Sequence, residues 1–153
     1  GMNKIRAAYS IGKRIMRLGA AVSVSLSLLT ALFGRHLLGM LTSDTWIIST
    51  GASILWIEVI LENGRALNFF GVNSLRSAGD IYFPVIVGII VMWGIQVVGS
   101  YIFGISLGWG LIAMWVIFAL DENIRGFIFV RRWNSFRWAG RSFAVQKEDA
   151  YLK

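Results

Sequence analysis

The stretch PVIVGIIVMWGIQVVGSYIF, residues 84–103, carries no Asp, Glu, Lys, Arg or His, and Gln96 is its only strongly polar side chain. Wound as a helix at about 1.5 Å per residue, it reaches about 30 Å, the thickness of a bilayer's hydrocarbon core. A helix satisfies its own backbone N–H and C=O groups, which lipid cannot do for it. Pro84 stands at the first turn, where its missing N–H leaves no bond unmade. The stretch therefore reads as a membrane span. Working outward, three further apolar runs are predicted to span: 18–41 (most firmly Leu18–Phe33), 46–75 and 109–130. The sequence predicts an all-α membrane protein of about four transmembrane helices in one membrane domain, 1–153.

Composition points the same way. Hydrophobic residues make up 56 % of the chain and charged residues 15 %, against roughly a quarter charged in a soluble globule. The net charge of +7 would suit nucleic acid if it were spread along a face. It is not. Lys4, Arg6, Lys13, Arg14 and Arg17 gather at one end, and Arg131, Arg132, Arg137, Arg141, Lys147 and Lys153 at the other. Basic residues beside apolar spans mark cytoplasmic flanks, so both termini are expected in the cytoplasm, with 131–153 as a basic tail and the protein in the cell membrane. Nucleic acid is excluded as a partner, and the lipid bilayer is the expected one.

Residues 1–17 read as a helix start at the membrane surface that feeds the first span, with Ile5, Ala8, Ile11 and Ile15 at helical spacing. Gly19, Ala20 and Ala21 allow close helix contact, and Ser23, Ser25, Ser27 and Thr30 can bond back to helix carbonyls. Arg35 and His36 mark the far interface, with a short apolar turn over Leu37–Leu41. Gly104, Gly108 and Gly110 are expected to form a flexible link between the last two spans. Trp46, Trp109, Trp133 and Trp138 fall at predicted interfaces, whereas Trp56, Trp93 and Trp115 lie inside spans and read as packing.

Ionisable groups inside a span are expensive and mark function by default. Glu58, Glu62 and Arg65 are spaced i, i+4 and i+7, so they share one helical face, with Asn68 toward the same side. A carboxylate sheltered from water can take up and release a proton near neutral pH. The plain alternative is an ion pair of Arg65 with Glu58 or Glu62 that merely holds the bundle. Asp121, Glu122 and Arg125 repeat the theme in the fourth span, with Arg125 at i+4 and i+3 for an intrahelical pair; they lie near enough to the basic end to snorkel, and the plain alternative is an interfacial anchor and packing pair. Gln96 reads as a hydrogen bond between helices. Glu58, Glu62, Asp121 and Glu122 are thus the ion- or proton-coupling candidates, Arg65 and Arg125 their charge partners, and Asn68 and Gln96 the cavity polar groups. No internal repeat is evident.

Enzymes fare poorly. The chain has no cysteine and a single histidine, His36, so no catalytic triad, thiol nucleophile or metal site is expected. No Gly-rich phosphate loop or H-E-x-x-H motif occurs.

Several motifs together resemble a known family. Asn73-Ser74-Leu75-Arg76-Ser77-Ala78-Gly79-Asp80 followed by Tyr82-Phe83-Pro84 resembles the step between the tenth and eleventh helices of multidrug-and-toxin-extrusion (MATE) transporters. Glu62-Asn63-Gly64-Arg65, Gly108-Trp109-Gly110, Asp121-Glu122-Asn123-Ile124-Arg125-Gly126 and Arg131-Arg132-Trp133-Asn134-Ser135-Phe136-Arg137-Trp138 are similar to bacterial members. Gly1-Met2-Asn3 with Arg14 resembles the loop entering helix nine. The resemblance implies helices nine to twelve, part of the C-terminal lobe of a twelve-helix antiporter. It implies export of cationic or amphipathic drug-like molecules in exchange for H⁺ or Na⁺, with no other cofactor and with the N-terminal helices as partners. In some members an acidic residue on helix ten helps bind the cation; its position falls on Arg65 here, leaving Glu62 to carry a proton. The rival expectations are a lipid-linked sugar flippase of the same superfamily and a small four-helix membrane scaffold without transport.

Overall fold

A computed structural model describes residues 2–141. Four helices follow one another: α1 (Met2–Leu41), α2 (Thr45–Ser77), α3 (Tyr82–Ser106) and α4 (Gly110–Asn134), with a 3₁₀ turn at Ala139–Arg141. There are no strands among the described residues. Three helices are long and apolar enough to cross a membrane: Ile5–Leu41, Thr45–Ser77 and Tyr82–Ser106. The fourth, α4, has 25 residues, but Asp121, Glu122, Arg125, Arg131 and Arg132 interrupt its apolar character. The protein is an all-α membrane protein.

Several expected boundaries move. The basic lead-in feeds the first span as expected, with no break along the 40 residues of α1. Nor is there a turn over Leu37–Leu41, which α1 includes; the chain reverses at Thr42–Asp44 instead. There Asp44 caps α2, its carboxylate accepting from Trp46 N at 2.8 Å and Ile47 N at 3.2 Å, which satisfies two of the unpaired donors of a helix start. Gly104 is not part of a link. It is buried inside α3 against Met114 of α4, and the link shrinks to Leu107–Trp109. Residues 142–153, with Lys147 and Lys153 of the expected tail, lie outside the described residues.

Between α2 and α3, Gly79 has φ +92°. Its N–H donates to Arg76 O and the Asp80 N–H donates to Leu75 O, the paired bonds of a left-handed helix stop. The hydroxyls of Ser25, Ser27 and Thr30 donate to Ala21 O, Val24 O and Leu26 O, so α1 carries them at little cost in apolar surroundings.

The helices stand in the order α1, α2, α4, α3, with α2 packed against both α1 and α4, and α3 lying mainly on α4. Because α1 and α3 run opposite to α2 and α4, the central pair is parallel. The start of α1 and the end of α4 share one end, where the Tyr9 hydroxyl lies 3.1 Å from Asn134 Oδ1. That end holds the core: Met16, Leu75, Phe129, Trp133 and Trp138 are buried together. Trp133 and Trp138 stack at 4.3 Å, and their indole N–H groups donate to Tyr9 O and Trp133 O. These two tryptophans are therefore core, not interfacial anchors as expected; both N–H groups find protein partners, so neither ring needs the wet boundary. Trp46 and Trp109 are exposed at the helix ends, and Trp56 and Trp93 point outward from the four-helix group instead of packing within it.

At the α2–α4 crossing, Gly64 and Gly126 let the backbones touch. A Cβ at Gly64 would sit 2.5 Å from Asn123 N, and one at Gly126 would sit 2.9 Å from Gly64 O. Small residues at such a crossing permit the closest helix packing. Gly64→Val is expected to destabilise the protein by at least the ~1–3 kcal/mol typical of overpacking. Gly88→Ala, where nothing lies within 4 Å, should be neutral or slightly stabilising. Thermal unfolding in detergent micelles compares the two, and equal melting temperatures would refute this crossing.

Candidate functional site

On α2, Arg65 Nη1 donates to Glu58 Oε1 at 3.1 Å and also to Glu62 Oε1. The helix places the three on one face. Arg65 remains half-exposed at 48 %, whereas the Glu58 and Glu62 side chains are 20 % and 21 % exposed. Both carboxylates line a groove of about 290 Å³ between α1 and α2, together with Ser23, Leu26, Ser27, Thr30 and Leu55. Glu58 Oε2 is buried and has no hydrogen-bond partner among the described residues. The expected ion pair is present in both of its possible forms, and hydroxyls from α1 join it.

Asn68 does not share this face. It is turned toward α4, where its Nδ2 donates to Glu122 Oε2 at 2.7 Å. Three residues beyond Arg65 set Asn68 about 60° round the helix from it, on the side of α2 that α4 covers.

On α4, Arg125 Nη2 donates to Glu122 Oε1 at 3.0 Å and to Asp121 Oδ2. The expected intrahelical pair forms, without snorkelling. The Asp121 side chain is 1 % exposed and that of Arg125 14 %, so the guanidinium folds back onto its own helix instead of reaching the interface. Asp121 Oδ1 and Arg125 Nε are buried without a partner among the described residues.

Between the clusters, Asn63 Nδ2 donates to Asn123 Oδ1 at 3.3 Å, and Asn123 Nδ2 donates to Ile60 O and Ala119 O at 2.9 and 2.8 Å. Glu62-Asn63-Gly64-Arg65 and Glu122-Asn123-Ile124-Arg125 are thus one pattern, Glu-Asn-x-Arg, used twice. Each copy makes an i, i+3 carboxylate–guanidinium pair, and the two asparagines meet. A short repeat was present in the sequence after all, recognisable from the four-residue pattern but too brief to stand out before the helices were seen side by side. Since α2 and α4 are parallel, the two clusters lie at the same depth.

Gln96 makes no side-chain hydrogen bond among the described residues, so it is not the expected link between helices. In α3 the hydrogen-bonded turns widen to the π form over Met92–Val97 and Ser100–Ser106. Gln96 and Ser100 face a groove of about 380 Å³ shared with Met114 and Phe118 of α4. No group of three or more His, Cys, Asp or Glu residues that could hold a metal ion occurs among the described residues. His36 is exposed, as expected for an interface.

One buried pair had no forewarning in the sequence. Asp80, fully buried, accepts from Arg132 Nε at 2.8 Å, and the Arg132 guanidinium lies 4.5 Å from the centre of the Phe83 ring. It ties the α2–α3 turn to the end of α4. Asp80 falls directly after the helix-stopping Gly79, which marked a turn and hid the long-range pairing.

Long apolar helices with charged clusters at mid-height define a polytopic membrane protein. The sequence model of the MatE family matches residues 1–102. The chain is 38 % identical over 144 residues to "Uncharacterized transporter YisQ" of Bacillus subtilis (strain 168), covering 94 % of this chain and 32 % of that protein. The chain belongs to the MatE family and spans about a third of that relative's length. No solved structure matches it significantly.

Removing one side of a buried ion pair costs about 3–5 kcal/mol. Arg132→Met is expected to lower the melting temperature clearly. Arg131→Met, on an exposed neighbour, is expected to leave it nearly unchanged. Parallel thermal melts of the two variants give the comparison.

Proposed function

We propose that this chain forms part of the C-terminal lobe of a secondary active efflux antiporter, exporting cationic or amphipathic small molecules in exchange for H⁺ or Na⁺. The reading rests on one observation above all: Glu58, Glu62 and Arg65 sit in a helix apolar enough to cross a membrane, beside a groove edged with hydroxyls. Two carboxylates against one guanidinium leave the cluster one positive charge short. Ionisable groups at such a depth are tolerated where they serve an ion path.

An arriving cation would offset that deficit, and its departure would restore it. Such a cycle changes the charge of the groove once per turnover, the physical requirement for coupling an ion gradient to a change of shape. Arg65 competes with the cation for both carboxylates and thereby keeps its binding reversible. The basic residues at the shared terminal end support a cytoplasmic location for both termini in the cell membrane. Substrate export would require the rest of the antiporter, whose helices would cover the outward-facing apolar side chains of this lobe.

In the complete gene product, Glu62→Gln and Glu58→Gln are each expected to abolish drug-resistance export without lowering membrane abundance. Drug accumulation in cells, normalised to immunoblotted protein, measures this. Wild-type export by both variants would remove the α2 cluster from the mechanism.

A further inference from the structure

The α4 cluster has the same charge deficit as its α2 counterpart and far less access to water. Asp121 and Glu122 face a single guanidinium, Arg125. Among the other described groups around it, α3 (Tyr82–Ser106) contains no Asp, Glu, Lys, Arg or His. On α2, Glu58, Glu62 and Arg65 are engaged with one another, and that helix reaches the α4 cluster through the neutral amide of Asn68. Where α1 meets α4, it does so at the terminal end through Tyr9 and Gly12. No second cation is at hand among the described residues. We infer that α4 holds a proton-binding site of its own at Asp121 Oδ1, so that the chain carries two cation-accepting clusters at one depth.

The hydrogen bonds single out this atom. Glu122 is committed at both oxygens, Oε1 to Arg125 and Oε2 to Asn68, and both bonds need it as an acceptor. Asp121 uses only Oδ2, and its Oδ1 is enclosed and bare. A buried carboxylate oxygen without a donor is costly. One proton taken up from water and placed on Oδ1 makes Asp121 a neutral acid and leaves Glu122 and Arg125 as a balanced pair. Arg125 keeps its own proton throughout. A metal ion would need several oxygens around it, and one bare oxygen suits only a proton.

The release state is built in as well. Arg125 Nε is buried and bare beside the same carboxyl. On losing the proton, Asp121 can turn to accept from Nε and Nη2 together, the two-point pairing that holds carboxylates most firmly. The inference deepens the reading of the chain as an ion-coupled transporter, but binding of the proton does not depend on export.

The test uses the complete gene product, purified in detergent micelles and titrated with acid and base. Infrared difference spectroscopy follows the carboxylic-acid C=O stretch. Asp121→Asn is expected to lose one such component, equal to one proton per chain, and to keep the component removed by Glu58→Gln/Glu62→Gln. Glu122→Gln supplies a second route should Asp121→Asn not fold. It balances Arg125 against Asp121 alone and should lose the same component. A folded variant of either kind that retains the wild-type spectrum would overturn the inference. So would loss of the whole signal in the α2 double variant. Failed export by that double variant with the Asp121 component intact would leave this site standing on its own.

Discussion

The close crossing of α2 and α4 is the contact on which the site depends. Gly64 and Gly126 remove the side chains that would hold the two backbones apart, and Asn123 bonds the carbonyls of Ile60 and Ala119 on both sides of the seam. In a bilayer no hydrophobic force drives helices together, so close packing and interhelical hydrogen bonds must supply the adhesion. Once these two parallel helices touch at that point, Glu58, Glu62 and Arg65 on one side and Asp121, Glu122 and Arg125 on the other take the same depth. A larger residue at the crossing would separate not only two helices but two charge clusters.

The duplicated Glu-Asn-x-Arg pattern has different outcomes because its two copies meet different neighbours. On α2 the arginine remains half-exposed and the carboxylates look into a groove shared with α1. On α4 the same pattern is enclosed, and Asn68 reaches over to hold Glu122. Local geometry makes both ion pairs, since i, i+3 and i, i+4 partners meet on any helix. Accessibility is a property of the packing, and it separates a cluster open to the α1–α2 groove from one sealed around a single bare oxygen.

At the shared terminal end, rigidity comes from aromatic and ionic contacts working together. The stacked Trp133 and Trp138 seat against Gly12 of α1, while Asp80 and Arg132 fasten the α2–α3 turn to α4. The opposite end has the Asp44 cap, the short Leu107–Trp109 link, the Phe103–Trp109 ring contact and close approaches at Gly34, Gly51 and Gly104, but no ion pair among the described residues. Expectation assigned these tryptophans to the membrane boundary because depth along the chain can be read from hydropathy. Whether a ring at that depth faces headgroups or another ring cannot.

Taken alone, the amino-acid order determined the helical membrane architecture, because uninterrupted apolar runs of bilayer length admit no other backbone structure in lipid. It also determined the intrahelical pairs of Arg65 and Arg125, which depend only on helical period, and the resemblance to the family that the matches then showed. The direction in which Asn68 turns, the burial of Asp121, the meeting of Asn63 with Asn123 and the pairing of Asp80 with Arg132 were decided by tertiary structure. Each joins residues 52 to 60 positions apart or depends on what a neighbouring helix covers. Periodicity says which face of a helix a residue occupies; only the packed neighbours say what that face meets.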